Sequence, residues 1–365
     1  MKRCIASVIF GFVLVFMFPK ISGAAYHFST FKARHPIHIY KISGGFPQGI
    51  TPTIIKNVYH LPQSGGHGVV AIIGAYNDAT IEKDLESFDL AFNLAKCTIS
   101  NGCLEIHKFG SKINSSSGWN LETSLDVEWA HAIAPNAKIL LVEATTPSGA
   151  NLLQAVDYTA GRGDVTAISM SWGGGEFTEE KSLDSHFVSK SGATFFASSG
   201  DNGWGASWPA TSPNVVAVGG TSLYVKSDGT LVDETAWSGS GGGVSRYETQ
   251  PDFQSSYSIP KSKNMRAIPD VAYSADPKSG FSVYSKGKWY VIGGTSAGAP
   301  QWAAIQSLGM SANNQNFYSD KSKDNFNSYF KDIVSGANGK CVYYCEARKH
   351  YDYITGLGSP VTVNF

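Results

Sequence analysis

The sequence carries no excess charge of either sign: 29 lysines and arginines face 29 aspartates and glutamates in 365 residues. No overall field draws the chain to nucleic acid or to an anionic membrane, and neither is expected as a partner. Charge is also sparse. Only 16% of residues are Asp, Glu, Lys or Arg, against roughly 25% in an average globular chain, which leaves fewer carboxylate pairs to lose on acidification. Cysteine is scarce, and no two stand at the C-x2-C spacing of a zinc site. Apart from Cys4 there are two close pairs, Cys97 with Cys103 and Cys341 with Cys345, which an oxidising compartment would close as two small disulfide loops. Long apolar runs are missing as well. The run over residues 5–18 is shorter than the roughly 20 residues that span a bilayer. It follows Lys2 and Arg3 and leads through Pro19 to Ser22, Gly23, Ala24 and Ala25. Residues 1–25 therefore read as a removable signal peptide, and the remainder as a secreted chain, extracellular, periplasmic or in a lysosome-like acidic compartment, free of the membrane once the signal is removed.

What is present is a series of short, β-branched apolar runs at residues 69–75, 138–142, 167–171, 193–197 and 215–218. Such continuous runs suit strands buried on both faces. Segments with helical period lie between and after them, near residues 121–133, 151–159, 179–189 and 296–310. Strands alternating with helices predict a three-layer α/β/α fold with a mostly parallel central sheet, in which sites gather beyond the carboxyl ends of the strands. Residues 26–50 show no such pattern and read as an irregular N-terminal arm.

Three stretches bear chemistry. "VIGGTSAGAP" sets Ser296 among glycines and alanines between a β-branched run and a helical one. Its hydroxyl needs a proton acceptor to become a nucleophile. A subtilisin-like enzyme would supply a histidine at the start of a helix, and none of the nine histidines stands in that setting. "GWNLETSLDVEWAHAIAP" instead places Glu122 and Asp126 four apart, on one helix face, while Glu128 and His131 lie off that face. Two acids so placed, if buried, raise one another's pKa and share a proton, and one can then act as a base in acidic medium. "TFFASSGDNGWG" puts Asp201 among glycines at the end of an apolar run, where a protonated carboxyl could donate to an oxyanion.

With these motifs in this order, the chain resembles the sedolisins, the serine-carboxyl peptidases that keep a subtilisin-like fold and replace the histidine base by glutamate. Further stretches carry the resemblance: "AISMSWGGGE", "WPATSPNVVAVGGTSL", "WSGSGGGVS", "IPDVAY", "KDIVSG" and "YDYITGLGSP". It implies one peptidase domain over residues 51–365, with Ser296 as nucleophile, Glu122 as base, Asp126 orienting Glu122, and Asp201 with the Ser296 N–H as the oxyanion hole. It also implies that Ser171, Trp172, Gly173 and Gly174 form an edge that pairs with extended peptide or unfolded protein substrates, and that the enzyme is a monomeric serine endopeptidase. One calcium ion is implied near the C-terminus, held by the Asp332 and Asp352 carboxylates and the backbone of Ile333, Arg348 and His350. Arg348 and His350 stand where the family has glycines, and a left-handed backbone there would be costly. The arm is short beside the propeptide many sedolisins carry, so either it inhibits or pH alone governs activity. Two other classes stay open: a peptide-binding pseudopeptidase without catalysis, and a neutral serine hydrolase served by an unidentified histidine.

Overall fold

Alternate residues of the short apolar runs face opposite ways, and both sides are covered. The computed structural model describes residues 27–110, 113–319 and 323–361, so the expected signal peptide lies outside the described residues. Its strands include β1 (His38–Gly44), β2 (Val69–Ala75), β3 (Leu104–Lys108), β4 (Lys138–Ala144), β5 (Val165–Met170), β6 (Thr194–Ser198), β7 (Val215–Val225), β8 (Leu231–Ala236), β9 (Val271–Ser274), β10 (Phe281–Ser285) and β11 (Lys288–Gly293). The central sheet runs β8-β7-β6-β5-β2-β4-β3, with β9 also paired to β7. Only the β8–β7 pairing is antiparallel.

On β2, Val70 and Ile72 join one core, while Val69, Ala71 and Ile73 join the other. Ile139 and Leu141 of β4 divide from Leu140 and Val142 in the same way. The first core holds the helices α1 (Ser117–Ile133) and α3 (Gly298–Ser307), and the second holds α2 (Gly149–Ala160). This is the three-layer α/β/α arrangement that the alternation of runs predicts. Helices α1 and α3 pack on each other as well as on the sheet, and are buried nearly all round. No described helix is long and apolar enough to cross a membrane. Both cysteine pairs are disulfides, Cys97–Cys103 and Cys341–Cys345.

The local elements depart from the sequence reading in two places. Residues 179–189, expected as an α-helix, form the 3-10 segment Glu180–Phe187. The arm is not wholly irregular: its β1 pairs antiparallel with β11, which in turn pairs with β10 in a separate three-stranded sheet. Ile39, Tyr40 and Ile42 of β1 stay 53%, 59% and 55% exposed. Backbone bonds to β11, rather than buried side chains, fix that strand.

Carboxyls buried away from the cleft tie stability to pH. Glu180 is fully buried and accepts from the Phe177 N–H and the Thr211 hydroxyl. Burial, reinforced by the neighbouring Glu176, pushes its carboxyl up to about 9, and burial with the nearby Asp184 pushes Glu248 to about 7. In the unfolded chain both would titrate near about 4.3. The folded state therefore holds protons that the unfolded state has lost, and its stability is full below about 4.3 and declines as pH rises from there through 7 and on to 9. Melting temperature should fall steadily when pH is raised through that window, and Glu180→Gln should flatten the fall. Equal slopes for the variant and the parent in calorimetry would remove Glu180 from this effect.

Candidate active site

Helix α1 begins after Ser116 and ends at Ala134, where Pro135 disfavours a further helical residue. All of its residues from Trp119 to Ile133 are buried, so its acids have no solvent to face. Glu122 and Asp126 are only 1% and 2% exposed. Glu128 and His131, on other faces, have structural partners: Glu128 accepts from the Tyr284 N–H at 3.0 Å, and the His131 ring lies 2.8 Å from the Ala95 carbonyl. The Ser171 hydroxyl, beyond the carboxyl end of β5, donates to Asp126 Oδ1 at 2.7 Å and stands 3.2 Å from the Ser296 carbonyl oxygen. One side chain thus ties the acid pair to the serine turn.

Ser296 follows β11 through Gly294, whose φ of +138° is open to glycine alone in practice. A Cβ on Gly294 would collide with the Pro36 carbonyl oxygen and come within 2.5 Å of Asp201 Oδ2. Residues Thr295–Ala297 make one 3-10 turn before α3, and Pro300 sits in the first turn of α3, where its missing N–H costs nothing. Asp201 lies beyond the carboxyl end of β6. Its Oδ1 accepts both the Thr295 N–H and the Thr295 hydroxyl at 2.8 Å, which leaves Oδ2 3.2 Å from the His38 ring.

These groups act on one another. Burial raises Glu122 well above the usual carboxylate range, the Asp126 charge raises it further, the Ser296 hydroxyl lowers it and Asp201 adds to the rise. Burial likewise raises Asp126, against the hydrogen bonds of Ser171 and Glu122. Asp201 is raised by burial and lowered by His38 and Thr295. The Ser296 hydroxyl and both Glu122 oxygens are buried without a hydrogen bond of good geometry, a looseness common where no substrate is held. The site therefore joins a hydroxyl, two carboxyls that cannot both ionise cheaply, and a third carboxyl that burial raises and the His38 ring, itself raised by that carboxyl, lowers.

Of the segment expected to bind extended peptides, Gly173 exchanges two backbone bonds with Arg34 of the arm, at 2.9 and 3.1 Å. Gly174 pairs with Trp208. The Trp172 side chain is buried in the second core and the Ser171 side chain faces Asp126, so only backbone atoms of these two could meet a peptide. Near the C-terminus, the His350 N–H donates to both oxygens of Asp332, at 2.9 and 3.1 Å, and the Arg348 N–H donates to Asp352 at 3.2 Å. His350 carries φ +65°, so the left-handed backbone stands there without a glycine. Asp352 is buried, has no cationic side chain among its partners, and is pushed by burial up to about 7. Carboxyls and backbone carbonyls are hard oxygen donors of the kind calcium takes, and a cation would supply the positive partner that buried Asp352 lacks. Among the described residues, one cluster of three His, Cys, Asp or Glu groups is close enough to hold a metal, Cys97, Cys103 and His131, and its sulfurs are already joined.

Sequence reasoning did not find Thr295, the contact of Ser171 with Asp126, or the arm residues His35 and His38. The His35 ring lies 3.9 Å from Glu122 Oε2 and edge-on to Trp119. Thr295 adjoins Ser296 in the quoted motif, but nothing in the sequence of the arm signals a path across the site.

The subtilase family model matches residues 110–330. Sedolisin of Pseudomonas sp. (strain 101) is 29% identical over 87% of this chain and 61% of its own length, and kumamolisin of Bacillus sp. (strain MN-32) is 32% identical over 87% and 63%. Tripeptidyl-peptidase 1 of Dictyostelium discoideum is 27% identical over 93% of the chain and 62% of its own. The chain thus spans about three fifths of the length of these relatives. The solved structure of Pseudomonas sedolisin, a serine-carboxyl proteinase complexed with pseudo-iodotyrostatin, superposes with a TM-score of 0.75 at 28% identity, covering 87% of this chain and 96% of that one. The family model covers more than half of the chain, and with these relatives it leads to one conclusion: the chain belongs to the subtilase family, within its sedolisin group.

Proposed function

We propose that this chain is a secreted, acid-active serine-carboxyl endopeptidase that hydrolyses peptides and unfolded proteins through an acyl-enzyme on Ser296. The observation that carries the reading is geometric: the Ser171 hydroxyl joins buried Asp126, one turn from Glu122, to the Ser296 turn, and Thr295 of the same turn holds Asp201. Ser296 Oγ attacks the substrate carbonyl and its proton passes to Glu122, which Asp126 steadies by sharing a proton. The developing oxyanion is held by the protonated Asp201 carboxyl and the Ser296 N–H. The departing amine takes the proton from Glu122, and water enters by the same route in reverse to release the acid. The Gly173 backbone lines up the substrate as an added strand. The described arm continues on both sides of the serine turn, from Lys32 to Gly44, which supports a cleft open at both ends, as an endopeptidase needs.

A neutral hydrolase served by histidine finds less support. No histidine hydrogen-bonds the Ser296 hydroxyl among the described residues, and the rings of His35 and His38 meet carboxyls instead. A calcium ion at Asp332, Asp352 and the carbonyls of Ile333, Arg348 and His350 would cross-link the loop that carries the YDYITG segment to the rest of the fold; it supplies structure, and no step passes through it.

The pH dependence has a definite sign. Burial raises the Asp201 carboxyl above the usual carboxylate range, so activity fades as pH rises through its titration and the oxyanion loses its donor. At the acid end, activity declines when the Glu122–Asp126 pair takes up its last proton. Against a denatured protein at about pH 4, Ser296→Ala should lose at least about a thousandfold in kcat, and Glu122→Gln about a hundredfold or more; near-parental turnover in either removes that residue from its role. Asp201→Ala should cost about 10²- to 10³-fold. Asp201→Asn keeps a donor that cannot ionise and should move the alkaline limit upward, so an unchanged limit in a pH–rate profile would detach Asp201 from it. Chelation should lower the melting temperature of the parent but not of Asp332→Ala, and equal responses would place any stabilising ion elsewhere.

A further inference from the structure

A hydroxyl has one proton to give, and that of Ser171 stands between two acceptors. Its Oγ lies 2.7 Å from Asp126 Oδ1 on α1 and 3.2 Å from the carbonyl oxygen of Ser296. Alternation past the end of β5 sends Trp172 into the second core and Ser171 to the opposite face, where α1 and α3 pack on the sheet. Ser171, Asp126 and Ser296 are all buried, so no bulk water stands in for a lost bond. Both acceptors have a reason to need the proton. At the start of a helix the Ser296 carbonyl would take the N–H of residue 300, four positions on, but residue 300 is Pro300 and has none. The next carbonyl, of Ala297, is met by the Gln301 side chain at 2.9 Å. Asp126 for its part has no ion pair among the described residues. The titratable groups that face the pair are Asp201, held by Thr295 of the serine turn, and His35 of the arm, 3.9 Å from Glu122; β5 and α3 carry none.

We propose that Ser171 is a positioning residue whose hydroxyl is a rotor: it donates to Asp126 while that carboxylate is ionised, and turns to the Ser296 carbonyl when the acid pair is fully protonated. The inference rests on the peptidase reading above. While Asp126 Oδ1 carries no proton, the shorter, charge-assisted bond holds the Ser171 hydrogen there. A single proton shared between Glu122 and Asp126 leaves that arrangement intact. When the pair takes its last proton, on Asp126 Oδ1, the carboxyl becomes the donor to Ser171 Oγ. The Ser171 hydrogen then turns about the Cβ–Oγ bond to the Ser296 carbonyl. One proton is taken from solvent, and no covalent bond between heavy atoms changes.

Two consequences follow for the site. A donor to the ionised form of Asp126 delays the last proton to lower pH, so Ser171 extends downward the range in which Glu122 serves as base. The charge of the pair also reaches the backbone that carries the nucleophile, because one hydroxyl serves both and can serve only one at a time. Pro300 makes this link possible, since a residue with an N–H at that position would occupy the carbonyl permanently.

The test reads two signals from the full chain as pH is lowered from about 6 to about 3. Hydrolysis of a chromogenic peptide gives the acid limb of kcat/KM, which reports the free enzyme. NMR of protein labelled at serine carbonyl carbons and alanine nitrogens reads the Ser296–Ala297 peptide and needs no turnover. In the parent, the Ser296 carbonyl resonance should move downfield as it gains its hydrogen bond, with the apparent pKa of the acid limb. In Ser171→Ala the limb should shift upward by about one pH unit, for the loss of one hydrogen bond to a charged group, and the carbonyl should cease to follow pH. Ser171→Thr keeps the hydroxyl and should restore both. An unmoved limb in Ser171→Ala, or a Ser296 carbonyl that titrates equally without the hydroxyl, overturns the proposal and leaves the peptidase reading standing. A parent carbonyl that stays fixed across the limb overturns it as well, whatever the variants do. Absence of turnover at every pH overturns the peptidase reading, and the carbonyl titration then still decides the role of Ser171.

Discussion

Burial of two carboxyls on a helix with no wet face is the constraint on which the site depends. Helix α1 packs on the sheet and on α3 and is covered on its remaining sides, so Glu122 and Asp126 cannot reach solvent and must find their partners in each other, in Ser171 and in Ser296. On a solvated helix the same i, i+4 spacing would cost a few tenths of a kcal/mol and do nothing else. Here the cost of a second buried charge drives the pair to hold a proton.

Asp201 obeys the same physics with the opposite outcome. Its carboxyl is fixed by two donors from Thr295 on one oxygen, and burial favours a proton on the other. In the proposed mechanism the base must lose a proton while the oxyanion donor keeps one. The carboxyls outside the cleft sharpen the point: Glu180 and Glu248 are also buried and raised, so the fold and its chemistry favour the same range. The proposed preference for acid therefore rests on carboxyls kept neutral by burial, more than on the scarcity of charge that the composition displays.

Much of this was legible in the sequence, for reasons that can be named. The run at residues 69–75 reproduces β2 in full because both its faces are buried, and periodicity carries that information directly. Glu122 and Asp126 were legible because helical geometry alone places them together, and Asp201 because an acid after an apolar strand lies where sites collect. Other features depend on contacts between distant segments. Nothing near Ser171 says that its hydroxyl turns toward Asp126 rather than toward the cleft. His350 adopts a backbone angle that its residue type disfavours, supported by its bond to Asp332, eighteen positions away. Residues 179–189 have helical period, yet Glu180 is drawn back to the Phe177 N–H and Thr211 and the segment winds as a 3-10 helix.

The arm is the clearest instance of placement by a partner rather than by its own pattern. A strand whose large side chains are exposed cannot be recognised by hydrophobic alternation, because its position comes from unpaired backbone groups on Gly173 and β11. Those two edges flank the Ser296 turn, where under the peptidase reading they would align a substrate's backbone on both sides of the bond to be cut. Any extended segment of the chain long enough to reach would be drawn to them. The edges that the arm occupies are those an extended peptide would need under the peptidase reading, and the effective concentration of a tethered segment favours it there over a free peptide.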